Sequence, residues 1–523
     1  MIERLIKFIL GYQKLIFFLV VLVVSMYFFS YRFFVTGDGP AHLYNANLIL
    51  EFFNGAEPPV STYFEMNSFP VPNWTGHLIL AFFNLFLPIE VVEKVFLFLY
   101  FFGFVYSFKY FIQSYNPNAG WFSLIIIPFG ISLFVHSGFY NFCLSFIFLF
   151  LVIGFFVRHK NQMNLKKGIV MAMLILLLYF SHVTITLFAI FTLFVILFWD
   201  TLLIAGISFR EKISIFFKKS IGLFLICLPG LIFIFFYTRL HVGELYYTFI
   251  PTKELVAMLG NISPLVGHGP GEHLYTRIYL LVAIFLFVFA IVKKIRNRES
   301  SFKFKREDSF ILVALILLIG YFILPDSDGK GGYISVRILY LFYLLVFARA
   351  ILMDLPAWLK NDAVIIVLVT LYFHLQLKDE GQSAMSKWAR MTTEAGDFIQ
   401  PNSVILPINC SSHWQAIHLP KYLGAKKPMV ILENYEAGHI YFPLVWKKNL
   451  PIPSTKSTHP DAICKDYFQQ FDQMKFLPDY LFFYGFSEIP MPLECAKSDS
   501  ADYLQKYASI HKNDFCQLYQ LIK

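Results

Sequence analysis

The segment Thr36–Asn47 holds the residues of this chain whose types and spacing best suit chemistry. Asp38 and His42 stand four residues apart, so a helix that begins near Asp38 would carry both side chains on one face. Tyr44 and Asn45 add polar groups beside them, and the neighbouring sequence contains no Lys or Arg. A carboxylate in such a segment suits the role of a general base.

Asp38 fits a purely structural role equally well. Gly39 and Pro40 follow it directly, and a proline favours the first turn of a helix. An Asp in front of such a turn can cap the helix by accepting hydrogen bonds from its free N–H groups. Capping and catalysis therefore both stay open for Asp38.

Further polar residues flank long apolar runs. Arg337 begins one such run, and an arginine at membrane depth is costly unless it meets a partner or an anionic ligand. A lipid phosphate suits the planar guanidinium. An ion pair with Asp38, Asp326 or Asp328 is the alternative. The candidate substrate-binding residues are His42, Tyr44, Asn45, His77, His182, Arg239 and Arg337.

Asp38, His42 and His77 also carry groups that ligate divalent metal ions. Their spacing matches no closed zinc motif. A divalent metal therefore stays an open option, with Asp38 and His42 as its first candidate ligands, and the sequence points to no other cofactor.

The composition is that of a membrane protein. Of the 523 residues, 57% are hydrophobic and 15% are charged, whereas soluble domains carry roughly 25% charged residues. The formal net charge of +9 arises mostly from Lys and Arg in short loops between apolar runs, which is the pattern that orients helices in a bilayer. Membrane lipids are thus expected partners, and nucleic acid is not.

Apolar runs of near-spanning length predict about eleven transmembrane helices. The run Leu165–Asp200 is divided into two spans at Ser181 and His182. The first run lacks a cleavage site of small residues, which predicts a retained helix rather than a signal peptide. The spans are placed at residues 15–35, 89–113, 119–135, 139–157, 167–181, 184–200, 220–237, 277–292, 309–324, 335–353 and 362–376.

Loop charges predict the orientation of these spans. With a cytoplasmic amino terminus, the inner loops collect the basic residues, and the richest has seven Lys and Arg within residues 293–306. Merging the two spans around His182 would move that loop to the outer side. The sequence therefore predicts a multi-pass protein of the cytoplasmic (inner) membrane whose segment after the first span and whose carboxy terminus are extracytoplasmic.

The composition changes beyond the last span. Residues 1–376 are predicted to form the transmembrane helical domain, and residues 377–523 a small extracytoplasmic α/β domain. Short β-like runs occur at Ser403–Ile408 and Pro428–Leu432, and an amphipathic stretch at Ala462–Phe471. Four cysteines of this domain could form two disulfides in an oxidising compartment or stay free and buried: Cys410, Cys464, Cys495 and Cys516.

These features resemble the GT-C superfamily of integral membrane glycosyltransferases, which includes protein O-mannosyltransferases and aminoarabinose transferases. Its members have many spans, a cytoplasmic amino terminus and an acidic motif in the first outer loop, followed by interfacial helices and often a soluble outer domain. Thr36-Gly37-Asp38-Gly39 stands at the place of the acidic motif. Gly39 occupies the position of the usual second acidic residue.

The resemblance implies the transfer of a sugar from a polyprenyl-phosphate-linked donor to an acceptor on a glycan, a lipid or a protein. Asp38 carries over as the catalytic base that accepts the proton of the acceptor hydroxyl. A basic residue such as Arg337 would stabilise the departing lipid phosphate.

Three other functions remain in view. A transporter or flippase of envelope lipids or glycans would also have many spans, but the chain shows neither repeated halves nor paired broken helices. A polysaccharide polymerase or ligase would use a similar lipid-linked donor. A non-enzymatic scaffold would not need the polar segment around Asp38.

Overall fold

A computed structural model describes residues 12–240, 246–296, 304–329, 331–455, 458–459, 463, 476–486 and 504–522. The chain packs as two units. The first unit consists of residues 1–27, 99–135 and 142–379, and the second consists of residues 28–98, 136–141 and 380–523. The second unit therefore combines the segment after the first helix with the carboxy-terminal part of the chain.

Helices dominate the described residues, and their bounds are as follows. The α-helices are α1 (Gln13–Ser25), α2 (Gly39–Phe53), α3 (Val60–Tyr63), α4 (Trp74–Asn84), α5 (Ile89–Tyr115), α6 (Leu133–His136), α7 (Tyr140–His159), α8 (Leu165–Ser181), α9 (Val183–Leu202), α10 (Phe209–Leu240), α11 (Thr252–Gly260), α12 (His273–Arg296), α13 (Ser309–Ile323), α14 (Ile334–Leu352) and α15 (Ala357–Gly396). The strands are β1 (Phe64–Met66), β2 (Ser403–Asn409), β3 (Met429–Ile431), β4 (Leu444–Trp446), β5 (Tyr480–Tyr484), β6 (Tyr507–Lys512) and β7 (Cys516–Leu521).

Each predicted span overlaps a helical segment. In the part of the chain that the structure describes, seven helices are long and apolar enough to cross a membrane. The predicted break between two spans is also confirmed, because α8 ends at Ser181 and α9 begins at Val183. The chain is a multi-pass α-helical membrane protein.

Two of the shorter segments differ from the prediction. Helix α1 ends at Ser25 and continues only as a 3₁₀ turn to Phe29, so the helix predicted to reach residue 35 is too long. Residues Pro117–Ile131 form a 3₁₀ helix that contains Pro128, which cannot donate an α-helical hydrogen bond. At about 2 Å per residue, its 15 residues still cover the thickness of a bilayer core.

The second unit contains a five-stranded sheet in the order β3-β2-β5-β7-β6. Strands β3, β2 and β5 run parallel, and β7 and β6 extend the sheet antiparallel to β5. The strands predicted at Ser403–Ile408 and Pro428–Leu432 are confirmed as β2 and β3. This sheet is the small α/β part predicted for the carboxy-terminal end, although α15 continues past the proposed border at residue 377 to Gly396.

A second, two-stranded sheet lies within the same unit. Strand β1 pairs antiparallel with β4, and Phe64 stands opposite Trp446, with the two rings stacked 4.3 Å apart. Asn67 adds hydrogen bonds from its side chain to the carbonyls of Ile440 and Phe442. Residues from the first loop and from the carboxy-terminal part thus share one fold.

Helix α2 is packed on most of its surface. Its residues from Gly39 to Ile49 are buried, Leu50–Phe52 are half-buried, and Phe53 is exposed. Helix α4 and the segment Leu419–Gly424 pack against it. Helix α4, in contrast, exposes Leu78 and Phe82 as an interfacial helix does.

The cysteines of the carboxy-terminal part were expected either to pair or to stay free and buried. Cys410 and Cys516 are buried free thiols, so the alternative of unpaired cysteines holds for them. Cys464, Cys495 and most of the amphipathic stretch Ala462–Phe471 lie outside the described residues.

Candidate functional site

Asp38 sits at the first turn of α2, but its side chain does not cap the helix. The backbone N–H groups of Gly37 and Asp38 donate to the carbonyls of His136 and Ser137, at 2.8 and 2.9 Å. The hydroxyl of Thr36 accepts the hydrogen bond from Gly39 N, at 3.1 Å. Because Thr36 serves the helix terminus, the Asp38 carboxylate is available for other partners.

Those partners come from the carboxy-terminal part of the second unit. Nε2 of His418 lies 3.6 Å from Oδ1 of Asp38, and the Tyr435 hydroxyl donates a hydrogen bond to the carboxylate. The Asp38 side chain keeps 22% of its surface exposed, so a reactant can reach it. Burial raises the pKa of Asp38, although the charges of His418 and His42 act against the rise.

His418 connects Asp38 to a second carboxylate. Its Nδ1 lies 3.5 Å from Oε2 of Glu433, and the same oxygen lies 2.5 Å from Nζ of Lys421. Lys421 is fully buried. Burial works against the ionisation of Glu433, but the charges of Lys421 and His418 outweigh it and lower its pKa to about 2. Glu433 is therefore a permanent anion beside His418.

A second cluster lies one helical turn from Asp38. Nδ1 of His42 is 2.8 Å from Oε1 of Glu436, and Nε2 of His77 is 2.6 Å from Oε2. The two ring nitrogens are 3.4 Å apart. Burial opposes the ionisation of Glu436, but the two imidazoles outweigh it and lower its pKa. Burial also opposes protonation of His42, and Glu436 nevertheless raises its pKa.

The parallel strands position these residues. His418 follows the carboxyl end of β2, and Glu433, Tyr435 and Glu436 follow the carboxyl end of β3. Loops at the carboxyl ends of neighbouring parallel strands lie side by side, which is where open α/β sheets usually bind ligands.

Tyr44 and Asn45 anchor α2 to the same loops. The Tyr44 hydroxyl donates to the carbonyl of Met429 and accepts from Ile431 N, at 3.0 and 3.1 Å. The side-chain amides of Asn45 and Asn434 exchange two hydrogen bonds, at 3.2 and 2.8 Å. Both side chains therefore contact protein groups of these loops.

Gly39 leaves room for a carboxylate that is distant in sequence. An ideal Cβ on Gly39 would lie 2.1 Å from Oε1 of Glu93 and 2.4 Å from the Tyr140 hydroxyl. Glu93 accepts hydrogen bonds from the hydroxyls of Tyr140 and Tyr422, at 2.7 and 2.5 Å. A buried glutamate thus lies next to the position where the resemblance led us to expect a second acidic residue.

The other predicted residues belong to the first unit. Nη1 of Arg337 lies 3.4 Å from Nε2 of His182, and the Arg337 guanidinium is 5.1 Å from the Phe142 ring. These contacts join α14, the α8–α9 turn and α7. Arg239 is exposed near the end of α10, with its guanidinium 5.1 Å from the Phe235 ring.

No family model and no curated protein matches this sequence. Among solved structures, the chain is similar to ArnT from Cupriavidus metallidurans bound to undecaprenyl phosphate, with a TM-score of 0.54 and 11% sequence identity over 97% of each chain. The chain therefore shares the fold of that structure.

The fold brings together residues that the sequence analysis did not connect. His418, Lys421, Glu433, Tyr435 and Glu436 were all missed, because they are remote in sequence from Asp38. A signal was available for three of them. The polar run from Glu433 to Glu436 directly follows the predicted strand Pro428–Leu432, at the end of a strand where functional loops are common.

Among the described residues, one group has the ligand types and spacing for a metal ion. It consists of His42, His77 and Glu436, whose candidate ligand atoms all lie within 4.8 Å of one another. His42 and His77 are two of the three metal ligands that the sequence suggested. The third member of the group is Glu436, whereas the sequence suggested Asp38.

Proposed function

We propose that the chain is a membrane glycosyltransferase that transfers a sugar from a polyprenyl-phosphate-linked donor to an acceptor hydroxyl at the outer face of the cytoplasmic membrane. The observation that carries the proposal is the fold similarity along 97% of both chains to ArnT, whose structure holds undecaprenyl phosphate. The distribution of basic loops supports the orientation, with the amino terminus inside and the carboxy-terminal part outside.

Asp38 is the proposed general base. The acceptor oxygen attacks the anomeric carbon while its proton passes to the Asp38 carboxylate. The bond between that carbon and the phosphate oxygen breaks, and its electron pair leaves with polyprenyl phosphate. Because the attack is direct, the anomeric configuration inverts. The raised pKa of Asp38 makes it a stronger base than an ordinary aspartate.

His418 and Tyr435 are the proposed positioning residues for that base. Each contacts the Asp38 carboxylate, so each restricts its orientation. Glu433 faces the other ring nitrogen of His418, at 3.5 Å, and so holds the ring in place beside Asp38.

Arg337 and His182 are the proposed binding residues for the donor phosphate. A guanidinium can donate two parallel hydrogen bonds to phosphate oxygens, and its charge offsets the charge that develops on the leaving group. The contacts of Tyr44, Asn45, His42 and His77 favour a role in holding the residues around Asp38 over direct substrate binding.

Reconstitution tests the proposal directly. Proteoliposomes would receive a panel of undecaprenyl-phosphate-linked sugars and a lipid extract of the bacterial envelope as acceptor, and the release of undecaprenyl phosphate would be measured. We expect Asp38→Asn to lower the rate about 10²- to 10⁴-fold, which is the usual contribution of a general base. Asp397→Asn, at an exposed position of the second unit, is the matched control and should keep the wild-type rate.

Two results would contradict the proposal. Wild-type release of undecaprenyl phosphate by Asp38→Asn would remove Asp38 from the reaction. Movement of a labelled polyprenyl-phosphate sugar across the vesicle membrane with no donor consumed would instead establish a transporter.

A further inference from the structure

Three buried side chains from separate parts of the second unit meet at one point. His42 comes from α2, His77 from α4, and Glu436 from the loop after β3. Their side chains are 6%, 0% and 1% exposed. Each carboxylate oxygen of Glu436 faces a different imidazole, at 2.8 and 2.6 Å. This cluster is distinct from the His418–Glu433 pair beside Asp38.

The far side of each imidazole is fixed by a backbone carbonyl. Nδ1 of His77 lies 2.8 Å from the carbonyl oxygen of Asn73, which can only accept, so this nitrogen carries a hydrogen. The ring of His42 likewise donates to the backbone of Gly138. The nitrogens that face Glu436 are therefore Nε2 of His77 and Nδ1 of His42. Histidines that ligate metals are held in this way by their other ring nitrogen.

The inner nitrogens converge on one point. Nδ1 of His42 and Nε2 of His77 are 3.4 Å apart, and each faces one carboxylate oxygen of Glu436. One candidate ligand atom from each of the three residues lies within 4.8 Å of the others, so all three can reach a single ion.

We propose that His42, His77 and Glu436 bind a divalent transition-metal ion of the zinc class. Two imidazole nitrogens and one carboxylate oxygen are a ligand set that suits Zn²⁺ better than Mg²⁺ or Ca²⁺, which prefer oxygen ligands. The site is closed to solvent, so the ion is structural: it fastens α2, α4 and the loop after β3 to one another.

The ion also fixes the start of α2. His42 N donates to the carbonyl of Asp38 at 3.0 Å, so a restrained His42 restrains the turn that carries Asp38. The metal thereby positions Asp38 without touching the reacting atoms. The proposal does not depend on sugar transfer, because its readout is metal binding.

Metal analysis of the full chain tests the site. The protein is purified in detergent without a polyhistidine tag and without chelator, and its metals are measured by mass spectrometry. We expect about one Zn²⁺ per chain in the wild type, as in other structural sites. Glu436→Gln and His77→Gln should each weaken Zn²⁺ binding by at least about 10- to 100-fold. Mutation of a residue that only supports a metal ligand already costs that much affinity, and these variants replace a ligand itself.

A buried His–Glu contact in the first unit supplies the matched control. Nε2 of His374 lies 2.7 Å from Oε2 of Glu272, but Nζ of Lys378 also lies 2.9 Å from that oxygen and neutralises it. His374→Gln should therefore keep its Zn²⁺. Full occupancy in both Glu436→Gln and His77→Gln would overturn the assignment of the ligands.

Cobalt substitution covers the case in which these variants do not fold. The wild-type protein with Co²⁺ in place of Zn²⁺ should give the visible absorption of a cobalt site with nitrogen and oxygen ligands. A thiolate-to-cobalt charge-transfer band would place the ion on a cysteine and overturn the proposal. A wild-type protein that contains no Zn²⁺ and binds neither Zn²⁺ nor Co²⁺ would overturn it as well.

Discussion

Nε2 of His418 lies 3.6 Å from Oδ1 of Asp38, and the other nitrogen of the ring faces Glu433. One imidazole thus stands between two carboxylates, of which Asp38 is partly exposed and Glu433 is buried. This arrangement lets the buried anion hold the ring while the ring holds the proposed base.

His418→Gln tests this relationship. The substitution removes the ring that restricts the Asp38 carboxylate, so we expect the rate of sugar transfer to fall about 10-fold, which corresponds to about 1.4 kcal/mol in the barrier. The acid limb of the pH–rate profile should also move to higher pH. The sign follows because Asp38 acts as an anion, and the charge of His418 lowers its already raised pKa.

The pH profile separates positioning from folding. A variant that merely unfolds loses rate at every pH and leaves the acid limb in place. His511→Gln, in the edge strand β6, is the control and should change neither the rate nor the limb. An unshifted limb in His418→Gln would mean that His418 does not act on Asp38.

Gly39→Ala should be severely destabilising. The added Cβ would lie 2.1 Å from Glu93 and 2.3 Å from Thr36 Oγ1, and these groups are buried and hydrogen-bonded. Overpacking of this kind costs about 1–3 kcal/mol, which lowers the melting temperature of the detergent-solubilised protein. Gly222→Ala meets no atom within 4 Å and should melt like the wild type. Equal melting of the two variants would contradict the close packing at Gly39.

The sequence carried enough information for the helices and for strands β2 and β3. Apolar runs of spanning length and basic loops have local causes, so the helices were found, and the runs at β2 and β3 were recognisable for the same reason. The 3₁₀ form of Pro117–Ile131 was missed, because hydropathy reports burial in lipid and does not report helix type.

The partners of Asp38 and His42 could not be derived in that way. His77 and Glu436 are 359 residues apart in sequence, and their contact depends on how β3 packs beside α2 and α4. No periodic pattern encodes such a contact. The direction of the Asp38 side chain could not be predicted for the same reason. Thr36 and Asp38 can both accept a hydrogen bond from the first turn of α2, and packing decides that Thr36 does so.

Glu433→Gln should destabilise the second unit. It would leave the fully buried Lys421 without its carboxylate, and breaking a buried ion pair costs about 3–5 kcal/mol. Because the folded-state pKa of Glu433 is about 2 against an ordinary 4.5, the pair stabilises the fold fully above pH 4.5 and loses its effect as the pH falls toward 2. Thermal unfolding between pH 3 and pH 7 measures both effects.

The double variant Lys421→Met with Glu433→Leu is the control for the ion pair. Removing both charges leaves no unpaired group, so most of the lost stability should return. A double variant as unstable as Glu433→Gln would show that packing at these positions, and not the unpaired charge, sets the loss.

Arg337→Gln should weaken binding of the donor. Its guanidinium contacts His182 and Phe142 in the first unit, and the proposed ligand is the donor phosphate. Loss of hydrogen bonds to a charged group costs about 1.5–3 kcal/mol, which is roughly a 10- to 100-fold weaker affinity. Undecaprenyl phosphate binding to the detergent-solubilised protein measures this directly, without an acceptor. Arg337→Lys should recover only part of the affinity, because an ammonium lacks the paired donors of the guanidinium.

Arg158→Gln is the matched control for Arg337. Arg158 also stacks its guanidinium on an aromatic ring, at 4.0 Å from Tyr110, but it lies at the opposite end of α7 from Phe142. The loss of a similar cation–π contact there should leave undecaprenyl phosphate binding unchanged. If both variants lost affinity equally, the effect would come from a general disturbance of the helices, and the phosphate role of Arg337 would fail.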